Sequence, residues 1–313
     1  MDKKKRTICL LLGASGFIGS HTVEYLSKEF SLVISLSRNW LNPKKYLNVK
    51  YISGDFYDTE FMNSLLDGVD CVVNMITTTT PISSNLDPVL DIKENLIGNV
   101  EFIKLCAVNN VKKYIFISSG GTIYGDPCPT DGFNEYSPTN PSSSYGIVKL
   151  AFEKYMRHYE EKYGISAISI RVSNPYGLSP KINPEQGLIS NILFKSLNNM
   201  PIEIWGDGTN TRDYIAVEDV ARAVIKVCQY EGPERVFNIG TSIGYSINDV
   251  IALVSDLRNE PLEVIYKYSD TKSGVAASVL DCTLAKRELN WSHEVSLKKG
   301  VTELYAYHHK KVN

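Results

Sequence analysis

The sequence predicts a doubly wound α/β fold, in which helices cover both faces of a parallel β-sheet. Two features of the first half of the chain lead to this prediction: short runs that are almost entirely apolar, and longer amphipathic segments between them. Strands that are buried on both faces have such apolar sequences, and the helices between them supply the crossover connections of a parallel sheet. The 313 residues, of which 43% are hydrophobic, suffice to build a core of this kind.

Each element follows from a switch between these two patterns along the chain. Strands are predicted at residues 7–12, 32–36, 50–52, 71–75, 114–117 and 167–171. The longest amphipathic segments predict helices at residues 17–28, 86–109 and 145–163. The order of these elements is that of a Rossmann-type domain, which we assign to residues 1–173.

The composition changes after residue 173, where Pro and Gly accumulate in short turn-forming clusters. The pattern beyond them predicts a helix at 187–198, a loop at 205–210, a helix at 217–230 and one returning strand at 236–239. We therefore expect residues 174–313 to form mainly a smaller C-terminal lobe that closes over the strand ends and binds the substrate.

The charge pattern excludes several classes of protein. A formal net charge of -2 gives no basic surface for nucleic acid, and no segment approaches the roughly 20 apolar residues of a membrane span. The one basic run, residues 3–6, is expected to be a solvated tail, with attraction to a membrane surface as the alternative. Without a signal peptide or a span, the protein is expected to be cytoplasmic.

Neither the cysteines nor the histidines predict a metal site. The six cysteines lie far apart and contain no C-x-x-C pair, and several are in apolar runs, as buried reduced thiols are. The five histidines show no spacing typical of metal ligands. We therefore assign no metal.

Three glycines follow the first strand and open the first predicted helix. Gly13 and Gly16 permit a tight turn whose N–H groups can approach a pyrophosphate, and Gly19 lets the helix pack closely on the sheet. The position of the motif at the first strand-to-helix junction favours a dinucleotide site over a purely structural turn. The residues predicted to line this site are Gly13, Ser15, Gly16, Phe17, Ile18 and Gly19.

The end of the second strand predicts which dinucleotide binds. An acidic residue there usually holds the ribose hydroxyls of NAD(H), but this chain has Ser37 and Arg38 instead. Arg can pair with the 2′-phosphate of NADP(H) and Ser can donate to it, so NADP(H) is favoured and NAD(H) stays possible. In the second case Arg38 is simply a solvated loop residue. Asp55 and Phe56, after the third strand, are predicted to contact the adenine.

A tyrosine and a lysine are predicted to form the catalytic pair. Tyr145 and Lys149 are four residues apart in a predicted helix, so both lie on the same face. An ammonium beside a phenol favours the phenolate, and we therefore expect Lys149 to lower the pKa of Tyr145 toward the working pH. Such a pair suits proton transfer to and from a hydroxyl of the substrate.

Together these motifs resemble the extended short-chain dehydrogenase/reductases, and most closely their NAD(P)-dependent nucleotide-sugar epimerases and reductases. The resemblance covers nearly the whole chain. Besides the motifs above, it rests on Asn95, on SSGGTIYG at residues 118–125, on Asn174 before a proline, on WGDGTNTRDY at 205–214 and on RELNW at 287–291.

The resemblance implies a role for each matching residue. It makes Tyr145 the acid/base, has Lys149 orient the nicotinamide ribose, and adds Asn95 to the cofactor site. It also implies that Asn174 and Arg212 hold the diphosphate of a nucleotide-sugar substrate, a group for which a guanidinium is the natural clamp. For both residues a simple loop role is the alternative. Homodimerisation through two helices of each subunit is implied as well.

Two positions depart from the family pattern. The hydroxyl residue that normally completes the catalytic triad falls on Gly120, so Thr122 or Ser119 must supply the hydroxyl, with Thr122 preferred. An Arg of the C-terminal lobe that helps to bind the diphosphate falls on Thr271. Lys272 could substitute there as a point charge without a bidentate fork.

Two reactions fit such a site, and the cofactor preference ranks them. Because NADP(H) is kept mainly reduced in cells, the leading hypothesis is NADPH-dependent reduction of the C4 ketone of a nucleotide-linked 4-keto-6-deoxyhexose. A dTDP-linked sugar destined for a surface polysaccharide such as O-antigen would suit this reaction. The alternative is a nucleotide-sugar 4-epimerase of the UDP-glucose or UDP-N-acetylglucosamine type with tightly bound NAD.

Two further interpretations are disfavoured. A 4,6-dehydratase is expected to carry an Asp-Glu pair where this chain has Gly-Gly-Thr at 120–122. A non-catalytic protein that only senses NADP(H) usually lacks the catalytic Tyr or Lys, and here Tyr145 and Lys149 are both present.

Overall fold

The structure of the chain, a computed structural model, describes residues 7–40, 42–179, 182–185, 187–267 and 275–312. Within these ranges the strands, in chain order, are β1 (Ile8–Leu12), β2 (Leu32–Ser37), β3 (Val49–Ser53), β4 (Cys71–Asn74), β5 (Lys113–Ser119), β6 (Ser166–Val172), β7 (Asn174–Tyr176), β8 (Ile202–Trp205), β9 (Thr211–Ala216), β10 (Val236–Ile239), β11 (Gly244–Ser246), β12 (Val264–Lys267) and β13 (Ala277–Ser278).

The helices in the same ranges are α1 (Phe17–Glu29), α2 (Thr59–Ser64), α3 (Pro81–Leu86), α4 (Pro88–Asp91), α5 (Gly98–Val108), α6 (Gly120–Ile123), α7 (Ser144–Tyr163), α8 (Leu188–Leu197), α9 (Val217–Gln229), α10 (Ile247–Arg258), α11 (Thr283–Leu289) and α12 (Leu297–Val312). A π-helical segment, Ile92–Ile97, joins α4 to α5. No helix in the described ranges is long and apolar enough to cross a membrane.

Seven strands form one parallel sheet in the order β10-β6-β5-β4-β1-β2-β3. At the end of β1, Leu12 aligns with Leu36 of β2 on one side and with Asn74 of β4 on the other. The chain order reverses at β1, and open sheets of this kind bind ligands beyond the carboxyl ends of the strands at the reversal. The predicted doubly wound Rossmann-type fold is therefore confirmed.

Helices cover both faces of the sheet because successive side chains of a strand point to opposite faces. Leu11 and Val73 belong to the core that contains residues of α1 and α9, whereas Leu10 and Val72 belong to the core that contains residues of α5 and α7. All four side chains are fully buried or nearly so. Burial on both faces explains why the strand sequences are apolar throughout.

Residues after β6 form most of the smaller lobe. Its strands form a two-stranded sheet of β8 with β12, and a four-stranded sheet built around β9. A separate apolar core joins α8, α10 and α12, with Ile192, Val250 and Val301 fully buried in it. The returning strand β10 pairs with β6 in the main sheet.

Two predicted elements differ from the structure. The helix predicted at 86–109 is divided into the end of α3, α4, the π-helical segment and α5. Pro88 has no N–H with which to continue the preceding helix, and the Asp87 carboxylate accepts from the Leu90 N–H at 2.9 Å to start a new one. The loop predicted at 205–210 is shorter, since Trp205 ends β8.

Candidate active site

The glycine turn after β1 has the geometry that a dinucleotide pyrophosphate requires. Gly13 has a φ of 75°, which favours glycine, and its carbonyl accepts from the Gly16 N–H at 3.0 Å. A Cβ on Gly19 would lie 2.2 Å from the Gly13 oxygen, so only glycine lets α1 begin this close to the turn. Because Gly16 has no side chain that could cap α1, the first N–H groups of the helix are left for a ligand. Phe17 and Ile18, in that first turn, line a cavity.

A cavity of about 280 Å³ lies beside this turn, at the carboxyl ends of β2 and β3. Ser37 ends β2, and its hydroxyl makes a short hydrogen bond with the Ser15 hydroxyl. The exposed Arg38 follows, and Asp55 and Phe56 also line the cavity. The structure therefore brings together the four residues predicted for the adenosine part of the cofactor: Ser37, Arg38, Asp55 and Phe56.

A second cavity, of about 700 Å³, extends from the glycine turn toward the C-terminal residues. It shares Gly13, Gly16, Met75 and Thr77 with the smaller cavity, so the two adjoin. The cleft can therefore accept a dinucleotide with a second ligand next to it.

A run of four threonines, residues 77–80, follows β4 and lies at the junction of the two cavities. Asn95, predicted as a cofactor residue, lines neither cavity. Its side chain accepts from the Thr78 N–H at 3.0 Å and donates to the Thr79 hydroxyl at 3.1 Å. Asn95 therefore holds the threonine run in place and does not itself face the cleft.

Tyr145 lies in the first turn of α7 and lines the larger cavity. Ser143 caps this helix by accepting from the Gly146 N–H at 3.2 Å. A Cβ on Gly146 would lie 2.6 Å from the carbonyl oxygen of Thr122. The glycine after Tyr145 therefore lets α7 approach the segment that follows β5 closely.

The electrostatics of the catalytic pair differ from the prediction that Lys149 lowers the pKa of Tyr145. Burial raises the pKa of Tyr145 to about 12, and a hydrogen bond with the Thr77 side chain only partly opposes it. Burial also lowers the pKa of Lys149 to about 7. The Lys149 ammonium lies 5.5 Å from the centre of the Tyr145 ring and donates to the Ile117 carbonyl at 2.9 Å. The prediction is wrong for this structure, because burial is the largest influence on the Tyr145 phenol and the group that lowers its pKa is Thr77, not Lys149.

The segment after β5 explains why position 120 is glycine. A Cβ on Gly120 would lie 2.5 Å from a methyl carbon of Leu280, so a Ser or Thr there would require Leu280 to move. The Thr122 hydroxyl is buried and has no hydrogen-bond partner among the described residues, whereas Ser119 is partly exposed. Neither lines the larger cavity. The unpaired hydroxyl keeps Thr122 the better candidate for the third catalytic group.

Asn174 and Arg212 line the larger cavity from the neighbouring strands β7 and β9. The Asn174 Nδ2 donates to the Asp213 carbonyl at 2.9 Å. The Arg212 guanidinium donates to the backbone carbonyls of Thr211 and Val275, at 2.8 and 2.6 Å. Because these partners are neutral, the positive charge of Arg212 is available to an anionic ligand.

The alternation of side chains along β9 points Asp213 away from the cavity. Its fully buried carboxylate accepts from the N–H and the hydroxyl of Thr241, at 2.9 and 2.7 Å, and burial raises its pKa. Of the consecutive residues Arg212 and Asp213, only Arg212 therefore faces the cavity. The other predicted basic residue, Lys272, lies outside the described residues, as does Thr271.

Several residues of the cleft were not predicted from the sequence. The run at 77–80 directly follows a buried strand, and this position was a usable signal because ligands bind at the carboxyl ends of parallel strands. Tyr176 and Tyr214 also line the cavity but gave no signal, since β7 and β9 become neighbours only in the fold. Over the described part of the chain, no three His, Cys, Asp or Glu side chains are grouped so that they could hold a metal ion.

Comparison with known proteins identifies one family. Residues 9–240, more than half of the chain, match the model of the NAD dependent epimerase/dehydratase family.

Three similar proteins represent two activities. The UDP-glucose 4-epimerase of Thermotoga maritima, solved with UDP-glucose, is 31% identical with a TM-score of 0.89, over 98% of this chain and 100% of that one. The UDP-glucose 4-epimerase of Thermus thermophilus, solved with NAD, is 27% identical with a TM-score of 0.85, over 97% and 99%. The dTDP-4-dehydro-6-deoxyglucose reductase of Escherichia coli is 30% identical over 318 residues, which cover 97% of this chain and 98% of that one.

Proposed function

The chain belongs to the NAD dependent epimerase/dehydratase family and is an enzyme, and we propose that it is a nucleotide-sugar 4-epimerase that acts on a UDP-hexose with bound NAD. The observation that carries the proposal is the cleft: a cavity beside the glycine turn adjoins a larger one that contains both Tyr145 and Arg212. The two similar epimerases support this reaction better than the reduction that the sequence analysis ranked first.

Tyr145 is the proton acceptor and donor of the proposed reaction. NAD bound along the glycine turn would take a hydride from C4 of the sugar and return it to the opposite face. Tyr145 removes the proton of the C4 hydroxyl in the first half of the reaction and gives it back in the second. Since burial raises the pKa of Tyr145 to about 12, this step needs a positive charge nearby. Lys149, one helical turn away, supplies that charge at pH values below its own pKa of about 7.

Arg212 and Asn174 would hold the substrate by its diphosphate. Between the two hydride transfers the sugar ring has to turn over, so that C4 presents each of its faces in turn. A substrate that is anchored by charge at the diphosphate keeps this freedom at the sugar. The volume of about 700 Å³ provides the space for the movement.

A turnover experiment without added cofactor tests the proposal. The purified protein is mixed with UDP-glucose, and the appearance of UDP-galactose is followed by proton NMR. We expect interconversion without added nicotinamide, because the hydride returns to the molecule from which it came. No interconversion of UDP-glucose or UDP-N-acetylglucosamine, by protein that is folded and supplied with NAD, would rule the epimerase out.

Reduction of a 4-keto sugar is the second candidate, and one observation favours it. The strand end that meets the adenosine ribose carries Ser37 and the exposed Arg38, which suit the 2′-phosphate of NADP(H). The Escherichia coli relative, named as a reductase of dTDP-4-dehydro-6-deoxyglucose, is consistent with it. Stoichiometric loss of NADPH absorbance with a dTDP-4-keto-6-deoxyhexose would establish this reaction in place of epimerisation.

The choice of cofactor can be tested at Arg38 without any substrate. Dissociation constants for NAD and NADP are measured by calorimetry for the wild type and for Arg38→Ser. If the guanidinium pairs with a 2′-phosphate, the substitution weakens NADP about tenfold or more and leaves NAD unchanged. Equal effects on both cofactors, or none, would leave Arg38 as a solvated loop residue.

A homodimer is the proposed assembly. Ile97, in the π-helical segment, and Ile147 and Tyr155 of α7 are apolar side chains exposed to solvent. The helices α5 and α7 pack on one another, so a second copy could cover this surface with its own pair of helices. Light scattering tests the assembly: a dimeric mass supports it and a monomeric mass rejects it.

Three further proposals come from the sequence alone. The boundary between the cofactor-binding residues 1–173 and the mainly substrate-binding residues 174–313 is proposed from the change in composition. A cytoplasmic location and a role in making a surface polysaccharide are proposals of the same kind.

A further inference from the structure

A buried carboxylate lies behind the catalytic helix and has no place in the mechanism above. Asp91, the last residue of α4, is fully buried. One of its oxygens accepts from the Thr79 hydroxyl at 2.7 Å and from Asn95 Nδ2 at 2.9 Å. The other accepts from the Ser144 hydroxyl at 2.8 Å. A single carboxylate therefore joins the threonine run at the cofactor cleft, the π-helical segment and the start of α7.

The start of α7 is fixed to the same region by two further contacts. The Ser144 N–H donates to the Asn85 side chain at 2.9 Å, and the Tyr145 N–H donates to the Ser84 hydroxyl at 3.1 Å. A residue of α3 thus holds the backbone of Tyr145, while Asp91 holds the side chain of the preceding residue, Ser144. Contacts from both α3 and α4 therefore set the position of Tyr145 relative to the cleft.

The charge of Asp91 also acts on the catalytic pair. In the described part of the chain, the titratable groups that face Lys149 are Asp91, Glu153 and Tyr145. Its ammonium also contacts the Phe116 ring and the Ile117 carbonyl. Glu153 is already neutralised, since its carboxylate forms a buried ion pair with Arg171 at 2.6 Å.

The hydrogen-bond partners of Asp91 leave its charge in place. The side chains that donate to its carboxylate, Thr79, Asn95 and Ser144, are all neutral. Among the described residues that face Lys149, Asp91 is therefore the one negative charge without a cation of its own.

We infer that Asp91 is a positioning residue of this site, which fixes the first turn of the catalytic helix against the cofactor-facing threonines and balances the charge of Lys149. The inference rests on the proposed function for its catalytic meaning. It does not depend on that function for its test. Asp91 opposes the effect of burial on Lys149, since its negative charge raises the pKa of that ammonium. It also raises the pKa of Tyr145, as a negative charge beside a phenol does.

The test is a direct titration of Lys149 in the full-length protein. Lysine labelled with ¹³C at the ε position is followed by NMR against pH, and the Lys149 signal is assigned by its loss in Lys149→Arg. In Asp91→Asn, which keeps the shape of the side chain, the pKa of Lys149 is expected to fall by roughly one unit or more below that of the wild type. An unchanged titration would overturn the inference, whatever the enzyme is found to catalyse.

Ser144→Ala is the matched control, because it removes one hydrogen bond to Asp91 and leaves the charge. We expect the Lys149 titration to stay as in the wild type while kcat falls at least about fivefold, since the start of α7 is loosened. In activity assays, the alkaline limb of the pH profile moves to lower pH in Asp91→Asn and stays in Ser144→Ala.

A failure of Asp91→Asn to fold does not end the test. Thr79→Val then joins Ser144→Ala, since each removes one donor to the carboxylate. Wild-type kcat in both variants would contradict the positioning role. A lowered kcat in both, with unchanged thermal stability, would support it.

Discussion

The cofactor side and the substrate side of the cleft are built in different ways. On the cofactor side, Gly13 and Ser37 come at the ends of adjacent parallel strands, and each local motif fixes its own geometry. On the substrate side, Asn174 and Arg212 come from strands β7 and β9, which meet only when the smaller lobe has folded. Local motifs therefore place the residues that face the dinucleotide, whereas contacts between distant segments place the residues that face the substrate. Substitutions on the cofactor side should therefore change the affinity for the dinucleotide, whereas substitutions on the substrate side should change KM for the nucleotide sugar.

The largest effect is expected at Tyr145. Tyr145→Phe removes the proton donor and keeps the ring, so kcat is expected to fall by about 10²- to 10⁴-fold. Cofactor affinity and the thermal melting temperature should stay close to the wild type, and calorimetry and circular dichroism measure them. Turnover within a few-fold of the wild type would contradict the role of Tyr145 as proton acceptor and donor.

Arg212 tests the substrate side. Arg212→Gln removes the charge that faces the cavity, and KM for the nucleotide sugar is expected to rise by about 10- to 100-fold. Cofactor affinity is expected to remain unchanged, because Arg212 does not line the smaller cavity. Arg157→Gln, an exposed arginine of α7, is the control and should leave KM as it is. Equal changes in KM for the two variants would contradict the role of Arg212.

Gly19 tests the local construction of the cofactor side. In Gly19→Ala the new Cβ would lie 2.2 Å from the Gly13 carbonyl oxygen, so the turn or α1 has to shift. We expect a loss of about 1–3 kcal/mol in the free energy of unfolding and weaker binding of the dinucleotide. Gly164→Ala is a useful comparison, since Gly164 follows the end of α7 with a φ of 74° and has open space around it. If Gly19→Ala loses stability but keeps its cofactor affinity, the glycine turn does not contribute to dinucleotide binding.

Glu135 lines neither cavity, so a change in stability alone is expected there; its carboxylate accepts from the Asn238 N–H of β10 at 2.8 Å. Burial raises its pKa to about 7, above the ordinary value of 4.5. The folded state therefore binds this proton more tightly than the unfolded state. The stability that the proton contributes is complete below about pH 4.5 and is lost as the pH rises through 7.

Glu135→Gln cannot ionise and keeps the accepting oxygen. It should melt at a higher temperature than the wild type at pH 8, and the difference should shrink toward pH 5. Each unit of pKa difference corresponds to about 1.4 kcal/mol. A melting-temperature difference that is the same at both pH values would argue against a raised pKa.

The sequence predicted most of the cofactor side because its signals are local. Gly13, Gly19 and the spacing of Tyr145 and Lys149 are visible as short motifs, and the structure brings Gly13, Gly19 and Tyr145 to one cleft. The break at Asp87–Pro88 was missed, although a proline and a capping aspartate stand there, since the apolar pattern continues through them.

Three features of the site could not be predicted from the spacing of residues in the sequence. The close approach of Leu280 to Gly120 joins residues far apart in the chain, so the reason for a glycine at that position appears only in the fold. The pKa of Tyr145 depends on how deeply the phenol is buried, and four-residue spacing says nothing about burial. Asp91 could not be predicted either, because the three side chains that donate to it come from three separate segments of the chain.

In the proposed epimerisation, a hydride leaves C4 of a nucleotide sugar and returns to the same carbon. UDP-glucose deuterated at C4 tests it most directly, with the product analysed by NMR and mass spectrometry. We expect UDP-galactose that retains the deuterium at C4, with no deuterium released to water and no net change in nicotinamide absorbance. Loss of the deuterium to solvent, or stoichiometric oxidation or reduction of the nicotinamide, would contradict it.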